Sequence, residues 1–183
     1  LLPGLISRFR QNFPNVRMNV IVASRQTVIN RLLGRQIPMG VMSKKVTDKD
    51  LEFINLFTDE VILIVPHQHR WARFGSIYPD DLLDEPLIQR EEGAGTLEVL
   101  LEGLRQQDIS PDMLKVAMTL GNAEAIEMAV EEGLGVAFVS RLAAVRGLAL
   151  GRIAEVKVER MSLQRDIFLT RSVNFPPARS QAE

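Results

Sequence analysis

The sequence predicts an α/β protein built as two lobes, and three observations lead there. Short buried strands alternate with helices of about ten residues, the signature of βαβ units. That alternation runs through the chain twice. Between the two runs lies a polar and aromatic stretch, residues 67–76, which holds Trp71 and Phe74 without a clean period and reads as a connecting loop. The length of 183 residues suffices for two small cores, and 46% hydrophobic with 25% charged residues is ordinary globular composition.

In the first run, residues 1–13 place Leu2, Leu5, Ile6, Phe9 and Phe13 at helical spacing, opposite Arg8, Arg10 and Gln11. Pro14-Asn15 ends that helix. Residues 16–23 then alternate, with Val16, Met18, Val20 and Val22 on one face of an expected strand and Ile21 on the other. Ser24 follows and can cap a helix over residues 26–34, whose buried stripe is Val28, Ile29, Leu32 and Leu33. Residues 37–42 read as a short buried strand, 51–56 as an exposed one and 61–66 as a second buried one.

In the second run, residues 79–83 fit one helical turn and 86–89 a short strand. After the Gly93-Ala94-Gly95 turn, Thr96 opens a helix to about residue 106 with Leu97, Leu100, Leu101 and Leu104 as its stripe. A strand at 116–120, a helix at 122–132, a Gly133-Leu134-Gly135 stop and a buried strand at 136–139 follow. Ser140 can cap a short helix to residue 145, and 156–158 and 167–170 close the pattern as strands. The Pro176-Pro177 tail reads as disordered. Strands joined through helices should lie mainly parallel.

Charge narrows the function. With 22 basic and 23 acidic residues and a net charge of −1, this segment lacks the basic excess with which a module neutralises phosphates, so it does not grip nucleic acid by itself. Lys44, Lys45 and Lys49 cluster, but Asp48 and Asp50 sit among them, as in a solvated loop. The absence of cysteine removes disulfides, thiolate metal sites and thiol nucleophiles together. The longest apolar run, Val61-Ile62-Leu63-Ile64-Val65, is strand length, well short of the roughly 18 residues of a membrane span. Leu1-Leu2-Pro3-Gly4 has no basic region ahead of it, and the chain opens inside an expected helix, so it reads as the interior of a longer protein.

A search for reactive groups finds little. His67 and His69 stand beside Arg70, where a dication is unwelcome and further ligands are missing. Neither Ser43 nor Ser140 sits in a nucleophile-elbow sequence. The carboxylate pairs Asp80-Asp81, Glu91-Glu92 and Glu131-Glu132 fall at helix starts, loops and helix ends, where solvation is the default. The expectation is therefore a protein without catalytic residues, metal or cofactor.

Gly93-Ala94-Gly95-Thr96 is different, because it follows a strand and opens a helix. Backbone N–H groups and the Thr96 hydroxyl can converge there on a carboxylate, sulfate or phosphate, with the helix dipole behind them. The lysine and glycine spacing of a P-loop are missing, and a plain turn with a helix cap is the alternative. Ser24-Arg25-Gln26 and Thr119-Leu120-Gly121-Asn122 form two further polar helix starts after strands. Three of them make a ligand cleft at the carboxyl ends of strands the better reading.

Several blocks also resemble a known family. The opening LLPGLISRFRQNFPNV is similar to the first helix and strand of LysR-type regulatory domains, where the pattern follows a strand that this sequence does not include. Residues 26–41 resemble the family's next helix and its "G.IDLGI" strand, with Pro38 where Asp is usual and Met39 where Leu or Ala is common. Arg90-Glu91-Glu92-Gly93-Ala94-Gly95-Thr96 is similar to the "RE.GSGT" turn of the branch that holds carbon-fixation and sulfur-assimilation regulators, with Ala94 for Ser. Residues 121–126 and 133–141 resemble the "N.EAIK.AV..GLGIAF.S" block. The blocks keep family order from residue 1 to about 171.

The resemblance implies two Rossmann-like lobes of the type II periplasmic-binding-protein kind with a ligand cleft between them. Lobe I would comprise residues 1–66 plus 162–183, and lobe II residues 67–161. It implies a cytoplasmic transcription regulator, a homodimer or homotetramer without membrane association, that senses a small, often anionic effector between the lobes. DNA would be reached only through an N-terminal winged helix-turn-helix domain. Ser24 and Thr96 match helix starts where the family places ligand contacts; Ser43, Arg90, Gly95 and Asn122 join them as expected effector contacts. Arg25 matches no fixed family residue and is added because a guanidinium there can pair with a carboxylate. The rival readings are a solute-binding protein of a transporter, an enzyme on the same fold, and a dimerisation domain with a vestigial cleft.

Overall fold

The computed structural model describes residues 2–175. Helix α1 spans Leu2–Asn12 and α2 spans Arg25–Leu33. Strand β1 (Gly40–Met42) is followed by β2 (Leu51–Pro66), α3 (Arg70–Phe74), β3 (Ser76–Ile77) and β4 (Pro86–Arg90). Then come α4 (Gly95–Arg105), β5 (Lys115–Leu120), α5 (Ala123–Glu131), β6 (Val136–Ser140), α6 (Arg141–Ala149), β7 (Ile153–Val158) and β8 (Gln164–Ser172). Short 3₁₀ segments lie at Pro79–Asp84 and Pro111–Met113. Pro176 and Pro177, expected to be disordered, lie outside the described residues.

The sheet runs in the order β1-β8-β2-β6-β4-β5, with β7 also paired to β2 and β3 to β7. Parallel pairing holds where helices connect the strands: β4 pairs parallel with β5 and with β6. The long strands instead pair antiparallel, β2 with β8, β6 and β7, and β1 with β8. The expectation of a mainly parallel sheet thus describes the β5-β4-β6 end and the short β3–β7 pair, and not the long strands. Alternating strands and helices reveal local crossovers, but not that β8 returns from the far end of the chain to lie along β2.

Strand β2 is one 16-residue element where two strands were expected. Thr58-Asp59-Glu60 interrupts its apolar pattern, yet each of these residues stays in register with β8, opposite Asp166, Arg165 and Gln164. One irregularity, at Leu56, falls between the Asn55 and Phe57 pairs. Beyond Glu60 the same strand enters a different neighbourhood, pairing with β6 and then β7.

The second half of β2 is buried on both faces, so its residues divide by parity. Val61, Leu63 and Val65 join Trp71, Leu87, Leu100, Leu104, Val136 and Phe138 in one core, beneath α3 and α4. Ile62 and Ile64 join Ile88, Ile126, Val130, Ala137, Val139 and Ala144 in a second, beneath α5 and α6. A third and smaller core, Ile29, Leu32, Met42 and Leu51, lies under α2. Burying side chains such as Leu32, Leu63 and Ile64, each 0–1% exposed, contributes about 1.5–3 kcal/mol apiece.

Residues 16–23 form no strand. No described strand hydrogen-bonds to them, and Met18, Val20, Ile21 and Val22 are exposed. An alternating pattern chooses a strand's faces, but only a neighbouring backbone supplies its ladder. The expected loop at 67–76 contains α3, because His69 caps it through Nδ1, which accepts from the Trp71 N–H at 3.2 Å, and Trp71 is buried. No helix among the described residues is long and apolar enough to cross a membrane.

Candidate functional site

Helix α4 starts at the carboxyl end of β4, after the turn at residues 91–94. Its N-cap is Ala94, which offers no side-chain acceptor to the first-turn N–H groups. Thr96 in that turn is 4% exposed, and its Oγ1 has no hydrogen-bond partner among the described residues. A buried hydroxyl left so costs about 1–3 kcal/mol.

Gly95 is where β1's end meets α4. A Cβ there would run into the Ser43 side chain and come within 2.9 Å of Arg165 Nη1. Glycine is required by this close approach, since the backbone of α4 presses directly on the Ser43 side chain and on Arg165 of β8. The structure therefore brings Ser43, Gly95 and Arg165 together.

Arg25, the first residue of α2, reaches the first turn of α4. Its Nη1 and Nη2 donate to Glu98 Oε2 and Oε1 at 3.0 and 2.8 Å, a two-pronged ion pair. These bonds hold the Glu98 carboxyl below the usual carboxylate range and raise the Arg25 guanidinium, with burial opposing both effects. Lys44 Nζ stands 3.8 Å from Glu98 Oε2 and adds to the same field. Beside Arg25, Ser24 caps α2: its Oγ accepts the Thr27 N–H at 3.3 Å and shares a 2.9 Å hydrogen bond with Thr27 Oγ1.

The remaining two residues meet one loop further on. Arg90 Nε and Nη2 donate to Glu91 at 2.7 and 2.8 Å, lowering the Glu91 carboxyl, and Nη2 also donates to the Gly121 carbonyl at 3.3 Å. Asn122 follows that carbonyl and caps α5, its Oδ1 accepting the Ala125 N–H at 2.7 Å. Arg90 and Asn122 are thus joined through Gly121, at the carboxyl ends of neighbouring parallel strands.

Three groups here were not singled out from sequence. Asp59, buried in β2, accepts both Arg165 Nε and Nη2 on Oδ2 at 3.0 and 2.8 Å, and Ser140 Oγ donates to its Oδ1 at 2.8 Å. Ser140 was expected to cap α6 and makes no such bond. Glu98 carried a weak signal, an acidic residue in a helix's first turn. The Asp59–Arg165 pair carried none, because it depends on cross-strand register.

The start of α4 thus gathers one buried hydroxyl, the Ser43 side chain and two guanidinium groups, each already paired with a carboxylate of this chain. The sequence model of the LysR substrate binding domain matches residues 1–182. The chain belongs to this family. It is 31% identical over 171 residues to a probable RuBisCO transcriptional regulator of Cyanidioschyzon merolae, covering 92% of this chain and 56% of that protein. It is 30% identical over 175 residues to an uncharacterized HTH-type transcriptional regulator of Methanocaldococcus jannaschii, covering 94% and 58%. This LysR domain therefore spans a little over half the length of the curated relatives it matches.

Among solved structures, the LysR domain superposes on the regulatory domain of Synechocystis PCC6803 CcmR in complex with 2-PG. The TM-score is 0.86 at 20% identity, covering 99% of this chain and 86% of that one. The effector binding domain of QuiR in complex with shikimate gives a TM-score of 0.83 at 17% identity, covering 99% and 85%. At these identities the likeness is one of fold: the α/β, type II periplasmic-binding-protein-like architecture of LysR effector-binding domains.

Proposed function

We propose that this domain is the effector-sensing and oligomerisation part of a bacterial, cytoplasmic LysR-type transcriptional regulator, and that it has no catalytic activity of its own. It takes a small anionic metabolite at the start of α4, between a first lobe of residues 1–66 plus 162–183 and a second of residues 67–161, with β2 crossing from one to the other. The observation that carries this reading is the buried, unpartnered hydroxyl of Thr96 in the first turn of a helix without a side-chain cap. A hydroxyl, free N–H groups and a positive helix end together suit an oxyanion and little else.

Ser24, Arg25 and Ser43 approach the effector from the first lobe, and Arg90, Gly95, Thr96 and Asn122 from the second. An effector that binds the closed arrangement more tightly shifts the lobe equilibrium, which turns the subunits of a homodimer or homotetramer and with them the N-terminal winged helix-turn-helix domains on DNA. Exposed Met128 on α5 and Val145 on α6, 65% and 56% accessible, favour a subunit contact on that face.

Calorimetric titration with organic acids, beginning with the 2-PG and shikimate held by the structural neighbours, tests the assignment. Thr96→Val keeps the volume and removes the hydroxyl. An acid that binds the native domain should bind this variant and Arg25→Ala at least ten-fold more weakly. Unchanged affinity in both would place the effector elsewhere.

A further inference from the structure

Three arginines each already hold a carboxylate of this chain: Arg25 holds Glu98 and Arg165 holds Asp59 at the start of α4, and Arg90 holds Glu91 at the end of β4. They differ in how readily they could let go. Asp59 is 3% exposed, and removing its partner would leave a charge stranded in the interior. Glu91 neighbours Arg90 in sequence, so exchange there leaves the rest of the fold in place. Glu98 has a side chain 31% exposed, which water can take up, and it ties α4 to α2, two helices on opposite sides of the Ser43–Gly95 contact.

We propose that Glu98 is the resident competitor for Arg25: it occupies the guanidinium in the unliganded domain, and an effector gains Arg25 only by displacing it. This rests on reading Arg25 as an effector contact. The fork-on-fork geometry, at 3.0 and 2.8 Å, sets the class of ligand that can compete. A carboxylate or phosphate that presents two oxygens side by side replaces both bonds; a ligand offering one oxygen loses to Glu98. Lys44, 3.8 Å from Glu98, receives the displaced carboxylate and lowers the cost of exchange. Glu98 thereby sets both the threshold for an effector and the tie between α2 and α4 in its absence.

The test exploits the absence of native cysteine. Nitroxide labels on cysteines introduced at Asn30 in α2 and Glu124 in α5, both exposed, report the distance between the two helices by electron double resonance. Without any ligand, Arg25→Glu and Glu98→Arg should each shift or broaden that distance, and the double exchange should restore it. Single variants that leave the distance unmoved, or a double exchange that fails to restore it, overturn the tie. In a second arm, shikimate and inorganic phosphate are titrated into the native domain and Glu98→Gln, with at least a ten-fold gain in affinity expected for the variant. Measurable binding that Glu98→Gln leaves unchanged overturns the competition. If neither probe binds either protein while the distances respond as expected, the effector reading of Arg25 falls and the tie between the helices stands.

Discussion

Asp59 and Arg165 face each other directly across the β2–β8 ladder, and both guanidinium bonds converge on one carboxylate oxygen, Oδ2, at 3.0 and 2.8 Å. The other oxygen takes the Ser140 hydroxyl at the end of β6. A single buried carboxylate thus links three strands at the point where β2 changes neighbours. Its removal strands a guanidinium beside the positive end of α4, an unfavourable pairing of like charges. Asp59→Ala should lower the unfolding free energy by about 3–5 kcal/mol. Asp59→Ala combined with Arg165→Met should recover a large part of that loss, as a shift in the urea midpoint shows. A double variant no more stable than the single one would mean that Arg165 does not depend on Asp59.

Gly95 predicts a steric coupling. Gly95→Ala drives a methyl into the Ser43 side chain and should destabilise by about 1–3 kcal/mol, typical of overpacking. Ser43→Gly in the same chain removes the serine from the methyl's path and should return part of the loss, the flexible end of Arg165 being the one remaining close neighbour. If Gly95→Ala alone is neutral in urea denaturation, α4 does not press on Ser43 in solution.

Glu127 on α5 behaves unlike the other carboxylates. Burial, and then the charge of Glu131, push its carboxyl above the ordinary range, although the Gly147 N–H opposes this. The folded chain therefore keeps the proton at a pH where the unfolded chain has lost it. Stability should fall as pH rises from about 4.3, the ordinary glutamate value, through the raised one. Glu127→Gln should be more stable than the native chain at pH 7 and indistinguishable from it at pH 4. Equal stability at both pH values would contradict the raised carboxyl.

Glu98 gives the opposite sign. Its carboxyl is held low by Arg25, so its contribution is present above the unfolded value and is lost as pH falls through the lowered one. For a pair about a third exposed the worth is about 1 kcal/mol. Glu98→Gln should be less stable than the native chain by that amount at pH 7, with the difference closing below about pH 4. A difference that persists into acid would point to lost packing.

The architecture was legible where one segment carries its own pattern. The stripe Leu97, Leu100, Leu101 and Leu104 became α4, Ser24 did cap α2, the polar helix start at Asn122 became the cap of α5, and the apolar run at 136–139 became β6. What failed was pairing. Residues 16–23 have the alternation of a strand and no ladder to join, and Thr58-Asp59-Glu60 looked like a break because only β8, about a hundred residues away, neutralises Asp59. The ionic partners stayed hidden for the same reason: nothing local in the sequence places Glu98 against Arg25, which lies 73 residues earlier.

Strand β2 makes one further demand on the molecule. Its sixteen residues lay one backbone through the small core under α2 and through both larger cores, so neither part can lose its order without cutting the ladder of the other. Two lobes joined by loops would melt in two steps. Here heat should produce a single calorimetric peak, with the van't Hoff enthalpy equal to the measured one. A ligand bound at the start of α4 should then move that whole peak upward and not part of it.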